Sequence, residues 1–104
     1  MKPGNRLKIK SLSKHWADND VVMLHACFQC LTDCVEKEKL LDGHIDWDAT
    51  EKHQKAHKKL SKLYKWWATR CKHDIPDDFT DTKQRDTDTK QLIRLIKLRH
   101  FLWT

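Results

Sequence analysis

Apolar and thiol side chains recur at steps of three and four residues in the first half of the chain. The first set consists of Leu24, Cys27, Phe28, Leu31, Cys34 and Val35. Because an α-helix turns once every 3.6 residues, these steps bring all six side chains onto one face. The pattern predicts an amphipathic helix that starts after Asp18 or Asn19, either of which can cap it. The helix should run to about Leu41, because Gly43 is a typical stop signal.

A second helical face follows at the same spacing. It comprises His53, Ala56, His57, Leu60, Leu63, Tyr64, Trp67 and Cys71. Asp48 stands three residues before Glu51, which is the spacing of a capping box, so we expect Asp48 to be the N-cap. The helix should extend to about Lys72, and Pro76 ends any continuation. The short connection to the first helix predicts that the two are antiparallel neighbours.

The third predicted helix begins near Thr82 or Thr87 and runs to Trp103. Its main apolar face is formed by Leu92, Leu95, Leu98 and Leu102, with Ile96 and Trp103 beside it. Ile93 and Phe101 lie off that face. A helix that is apolar nearly all round is either central in a bundle or contacts a partner. A homodimer through this helix is therefore compatible with the sequence.

These patterns predict an all-α fold, an antiparallel bundle of three main helices over residues 15–104. A chain of 104 residues suffices for one domain, and two Gly and two Pro provide little turn chemistry for an all-β fold. Residues 1–14 form a basic arm without an acidic residue. The predicted core is Leu24, Cys27, Phe28, Leu31, Val35, Leu60, Leu63, Tyr64, Trp67, Leu92, Leu95 and Leu102.

The charge balance narrows the classes of partner. The formal net charge is +6, which suits nucleic acid or an acidic protein surface. No apolar stretch is long enough to span a membrane, so we expect no membrane partner. The N-terminus lacks the apolar segment of a secretory signal, which predicts a cytoplasmic location. The four Cys are then expected to be thiols.

Two Cys and two His side chains are candidate ligands for a metal ion. In the antiparallel pairing, Cys34 lies level with His53 and Cys30 lies level with His57, and each pair is spaced i, i+4. A tetrahedral Cys₂His₂ zinc site, stabilising the bundle, is one interpretation. The alternative is plain core without a cofactor, because free Cys is among the most buried residue types. Cys30 lies near the edge of its helical stripe, so convergence of the four side chains is left open.

The sequence gives less support for a catalytic site than for a metal site. His25 is two residues from Cys27 and therefore on another side of the helix, which separates a base from a nucleophile. The acids of the first helix have only Glu51 as a counterpart within the second, which does not make a paired-carboxylate metal site. We therefore predict that the protein is not an enzyme.

Basic and aromatic side chains define two candidate binding surfaces. One is a partner-binding surface for a protein, formed by Trp66, Lys90, Arg94, Lys97 and Phe101. The alternative is a nucleic-acid surface that uses the basic arm and the lysine-rich second helix, with Arg6, Lys8, Lys10, Lys58 and Lys62. Lys-rich helix exteriors also occur simply as solvated faces.

Several short stretches resemble a group of known proteins. They are His15-Trp16, Asp20, Leu24 to Gln29, Val35-Glu36, Tyr64 to Trp67, and Leu95 to Thr104. In these apolar and aromatic patterns the chain resembles small helical proteins encoded by tailed bacteriophages. The resemblance implies a location in the cytoplasm of an infected bacterium and carries over no catalytic residue. It also implies an accessory protein that binds a host or phage protein and inhibits a host enzyme or a defence complex.

Overall fold

The computed structural model describes residues 7–12, 18–42, 46–71 and 82–102. These residues contain three α-helices, α1 (Asn19–Glu36), α2 (Glu51–Arg70) and α3 (Thr82–Lys97), and no strand. A 3₁₀ turn, Arg99–Phe101, follows α3. Helix α1 packs against both α2 and α3, and these two also contact each other. The predicted all-α three-helix bundle is confirmed.

Helix α1 ends at Glu36, five residues before the predicted end at Leu41. Lys39 then takes a left-handed backbone conformation (φ 56°), and the Leu40 N–H donates to the Cys34 carbonyl over 3.0 Å. In a continued helix Leu40 would lie about 120° around the axis from Phe28, away from the core. Leaving the helix lets Leu40 turn inward, where it is 1% exposed.

The start of α2 also differs from the prediction. The N-cap is Thr50, whose Oγ1 accepts from the His53 N–H over 3.1 Å, rather than Asp48. Asp48 is used in the preceding turn, where its N–H donates to Asp46 Oδ1 over 3.1 Å. The helix ends at Arg70, and Lys72 and Pro76 lie outside the described residues.

Helix α3 ends at Lys97, well before the predicted end at Trp103, which lies outside the described residues. The chain tightens into the 3₁₀ turn and directs Leu102 towards α1. There the Cys34 thiol donates to the Leu102 carbonyl, with 3.4 Å between sulfur and oxygen. Phe101 packs against Trp47 and His53, at ring-centroid distances of 5.8 and 5.5 Å.

The core follows the predicted faces and adds residues from the connections. Of the predicted core, Leu24, Phe28, Leu31, Leu60, Leu63, Trp67 and Leu95 are buried, whereas Cys27, Val35, Tyr64, Leu92 and Leu102 are partly buried and packed on the core. The core also includes residues absent from that prediction, namely Cys34, Leu40, Trp47, Ala56 and Leu98. Connecting segments therefore contribute large side chains to the interior.

The centre of the α1–α2 interface is aromatic. Phe28 is fully buried and stacks on Trp67, with ring centroids 4.8 Å apart and planes inclined by 15°. Trp66 approaches the same ring at 5.4 Å, and His25 meets Trp67 edge-on at 4.8 Å. The middle of α1 thus lies against the end of α2. Further along α1, Tyr64 Oη donates to Glu36 Oε2 over 2.7 Å, which is the order of contacts in an antiparallel pair.

The described part of the basic arm is attached to α1. The Lys10 N–H donates to Gln29 Oε1 over 3.1 Å, and Ser11 Oγ shares a 2.7 Å hydrogen bond with His25 Nδ1. His25 and Gln29 are both buried, and these two hydrogen bonds give each buried side chain a polar partner. At these two positions the predicted arm is part of the bundle surface.

A bidentate ion pair joins α2 to α3. Arg70 Nε and Nη2 donate to Asp88 Oδ1 and Oδ2 over 2.9 and 3.0 Å, and both side chains are largely buried. Gln84 Nε2 also donates to Asp88 Oδ1, over 2.8 Å. The two-point geometry fixes the orientation of α3 more closely than a single contact would.

Replacing Phe28 by Ala should lower the free energy of unfolding by about 3–5 kcal/mol, because a fully buried ring leaves a cavity. Ile93→Ala is the matched exposed change and should alter it by no more than about 0.5 kcal/mol. Urea unfolding followed by circular dichroism measures both values. Equal losses for the two variants would contradict the assigned core.

Stability should fall as the pH drops below about 6.5, the ordinary pKa of histidine. Burial lowers the pKa of His25, the nearby Arg70 guanidinium lowers it further, and Asp88 opposes both effects. The unfolded chain therefore binds more protons at this site than the folded chain. The contribution of His25 to the free energy of unfolding is complete above about pH 6.5, and it is lost as the pH falls through the lowered pKa of His25 in the folded state.

Unfolding free energies of His25→Asn should consequently depend less on pH between 7.5 and 5 than those of the wild type. Leu24→Ala on the same helix is the control, because it weakens packing without removing a titrating group. It should be less stable at every pH but keep the wild-type slope. An unchanged slope in His25→Asn would show that His25 does not link protonation to folding.

Candidate binding surfaces

The outer face of α3 carries exposed aliphatic side chains. Ile93 and Ile96 are 47% and 52% exposed, whereas Leu95 and Leu98 are buried. Ile93 stands two residues before Leu95 and therefore about 200° around the helix from it. The expected position of Ile93 off the core face agrees with this arrangement. Ile96 was expected beside the core face, but it projects outward.

Three cations surround Ile93 on this face. Lys90, Arg94 and Lys97 are all exposed and lie three residues before, one after and four after Ile93. The segment from Thr89 to Lys97 contains no acidic residue. The three basic residues of the predicted partner-binding surface therefore lie close together on α3. Ile93 lies among them, although it was not part of that prediction.

The two aromatic members of that prediction, Trp66 and Phe101, are only half-exposed. Trp66 packs on Phe28 and lies 6.0 Å from the ring of Trp67. Phe101 packs on Trp47 and His53, as described above. Both rings pack mainly against the core. The exposed large apolar side chains of α3 are instead Ile93 and Ile96. We define the α3 surface as Lys90, Ile93, Arg94, Ile96 and Lys97.

A second surface lies along α2. We define the α2 lysine face as Lys52, Lys55, Lys58, Lys59, Lys62 and Lys65, all of which are exposed. Glu51 is the sole acidic residue of this helix, and it pairs with Lys55 over 3.3 Å. Lys58 and Lys62, predicted as nucleic-acid contacts, belong to this face. Of the predicted arm contacts, Lys8 and Lys10 are exposed and Arg6 lies outside the described residues.

The predicted zinc ligands do not assemble into a site. Cys30 is exposed, whereas Cys34 is buried against Leu102, and His53 bonds to Thr50 Oγ1 over 2.7 Å. His57 instead packs on Trp47, at 5.3 Å between ring centroids. Over residues 7–12, 18–42, 46–71 and 82–102, no three His, Cys, Asp or Glu side chains are placed to hold a metal ion.

Two features of the fold keep the predicted ligands apart, the segment after α3 and the register of α1 against α2. Phe101 contacts the ring of His53, and the carbonyl of Leu102 accepts from the Cys34 thiol. One stretch of chain therefore occupies the space next to both a predicted thiol ligand and a predicted imidazole ligand. The stacking of Phe28 on Trp67 and the Tyr64–Glu36 hydrogen bond also place Cys34 level with about Ser61, and His53 lies about 12 Å away along α2.

Two of the thiols, Cys30 and Cys34, are poor nucleophiles at neutral pH. Burial raises the pKa of Cys34 to about 12, and the nearby Glu38 carboxylate contributes to the increase. Partial desolvation raises the pKa of Cys30, and Cys27 and Asp33 add to it. A thiol is nucleophilic as its thiolate, so neither group favours covalent catalysis at neutral pH.

An open groove of about 640 Å³ lies beside the connection between α1 and α2. It is lined by Leu41, Asp42, Asp46, Trp47, Asp48, Gln54, His57 and Lys58. Asp46 Oδ1 is already bonded to the Asp48 N–H, and Trp47 Nε1 donates to the Leu40 carbonyl over 3.1 Å. These polar groups stabilise the connection and do not form a nucleophile–base pair.

No protein-family model, curated protein or solved structure matches this chain. Within the described part of the chain, every helix is too short or too polar to cross a membrane. The partner classes must therefore be inferred from the α3 surface and the α2 lysine face themselves.

The thiols should differ sharply in reactivity. In the folded protein at about pH 8, iodoacetamide should modify the exposed Cys30 well before Cys34, which is buried and bonded to Leu102. Peptide mass spectrometry after timed quenching measures the order. Cys34 should react at the rate of Cys30 only after denaturation. Equal rates in the native protein would contradict the docking of Leu102 on α1.

Proposed function

We propose that this chain is a non-enzymatic accessory protein that binds another protein through the α3 surface. The observation that carries the proposal is the exposure of Ile93 and Ile96 among Lys90, Arg94 and Lys97. A small apolar centre with a charged rim is the usual composition of a protein-binding site. The matching partner surface has an apolar depression bordered by Asp and Glu.

The same side chains fit other occupants less well. A second copy joined by two-fold symmetry would bring like charges of the α3 surface together, which opposes a homodimer there. An interfacial membrane helix needs a continuous apolar face, but Leu95 and Leu98 on α3 are used in the core. Nucleic-acid phosphates provide no apolar depression for two isoleucines.

The resemblance to small proteins of tailed bacteriophages supports a more specific version of this proposal. The partner would be a host or phage protein in the bacterial cytoplasm. A domain of this size acts by covering a surface, so inhibition of a host enzyme or a defence complex is the expected effect. Neither role requires a catalytic residue.

Identifying the partner calls for a site-specific probe. A photo-crosslinking amino acid at position 93 should capture a protein from a bacterial lysate, whereas the same amino acid at Lys59 on α2 should not capture it. The captured protein is then purified and its affinity measured by isothermal titration calorimetry.

Ile93→Ala/Ile96→Ala should weaken binding of that purified partner at least tenfold, because two exposed anchors are lost and tenfold corresponds to about 1.4 kcal/mol. Lys90→Gln/Arg94→Gln should mainly slow association and reduce its dependence on salt. Met23→Ala is the control, since Met23 is an exposed apolar residue on α1. The proposal is wrong if Met23→Ala weakens binding as much as the isoleucine variant does, or if position 93 crosslinks only to a second copy.

A further inference from the structure

The α2 lysine face is a row of cations on one rigid element. From Lys52 to Lys65 the helix rises by about 20 Å, at about 1.5 Å per residue. All six lysines are exposed, and from Lys52 to the end of α2 at Arg70 the sequence contains no acid. Among the described residues, Glu51 forms an ion pair with Lys55 at the first turn, and Lys58 lines the groove that Asp42, Asp46 and Asp48 also line.

The fold does not need this face. The core side of α2 is formed by Ala56, Leu60, Leu63 and Trp67, which pack on the rest of the bundle. Neighbouring lysines at spacings of three and four residues, such as Lys55 with Lys59 and Lys58 with Lys62, repel one another on a helix. The helix therefore keeps a charge pattern that opposes its own stability, and a polyanion would relieve that repulsion.

We propose that the α2 lysine face binds the phosphate backbone of duplex nucleic acid without sequence preference. The six lysines lie within about 140° of the helix circumference. A duplex carries one negative charge per about 1.7 Å of its axis, so this band of lysines can meet phosphates along its length. The inference is independent of the proposed protein contact, because it rests on another helix and on another kind of surface.

Backbone contact is favoured over base contact by the side chains present. Lys makes point-charge contacts to phosphate, and the face has none of the planar Arg, Asn or Gln groups that make bidentate contacts to base edges. Trp66, which lies near the lysines on α2, packs on Phe28 and so does not offer a free ring for stacking on unpaired bases. A duplex is thus a better match than a single strand.

The test measures binding of fluorescein-labelled DNA duplexes of about 20 base pairs to the full chain, by anisotropy from about 25 to 200 mM salt. Two unrelated sequences should bind equally. The logarithm of the association constant should fall linearly with the logarithm of salt, with a slope of about −0.9 for each phosphate contacted. Four or more lysines in contact predict a slope of about −3.6 or steeper.

Lys58→Gln/Lys62→Gln should make that slope shallower by about 1.8. Lys83→Gln/Arg85→Gln removes the same net charge from exposed positions of α3 outside the α3 surface and should leave the slope near the wild-type value. Ile93→Ala/Ile96→Ala should bind the duplex normally even if it loses the protein partner, which separates the two proposals. Circular dichroism verifies that each variant retains its helices.

Three results would overturn the inference. The first is absence of binding at about 25 mM salt, which would make the lysines a solvated face. The second is an equal change in slope for the α2 and α3 glutamine variants, which would reflect net charge alone. The third is competition by poly-glutamate as effective as that of unlabelled duplex at equal charge, which would point to an acidic protein instead.

Discussion

The stacking of Phe28 on Trp67 is the contact on which the arrangement of the bundle depends. It places the middle of α1 against the end of α2, and the contacts around it extend that alignment. His25, which meets the edge of Trp67, holds Ser11 of the arm. Arg70, nearly one turn after Trp67, holds Asp88 on α3. One aromatic contact thereby sets the positions from which the arm and the third helix are fixed.

This arrangement separates two kinds of outer surface. Helix α2 uses its apolar residues in the core, and its exposed charged groups are lysines apart from Glu51, since Arg70 is largely buried against Asp88. Helix α3 has more apolar residues than its core side can accommodate, so Ile93 and Ile96 remain outside among cations. The first surface matches a uniform line of negative charge. The second matches a partner that combines acidic groups with an apolar depression.

Periodicity in the sequence was enough to predict the three helices and most of the inward side chains, because burial repeats with the helical turn. It failed where the chain leaves a helix. Leu40 becomes core only after α1 has ended, and Trp47 does so from a connection, with its indole donating to the Leu40 carbonyl. The four predicted zinc ligands are not brought together, because the register of α1 against α2 does not place Cys34 level with His53, and because Phe101 and Leu102 pack beside these two residues. The angle of Ile93 from Leu95 on the helix already indicates that Ile93 is exposed, whereas the sequence does not reveal that Trp66 and Phe101 pack against the core.

The docking of the segment after α3 onto α1 has a consequence for biosynthesis. Cys34 meets Leu102, a residue 68 positions later in the chain. During translation at roughly 5–20 residues per second, the apolar face of α1 therefore waits several seconds for its last packing partner. Pairing of α1 with α2 can cover Phe28 earlier, whereas the contact of Cys34 with Leu102 can form only after residue 102 has been synthesised.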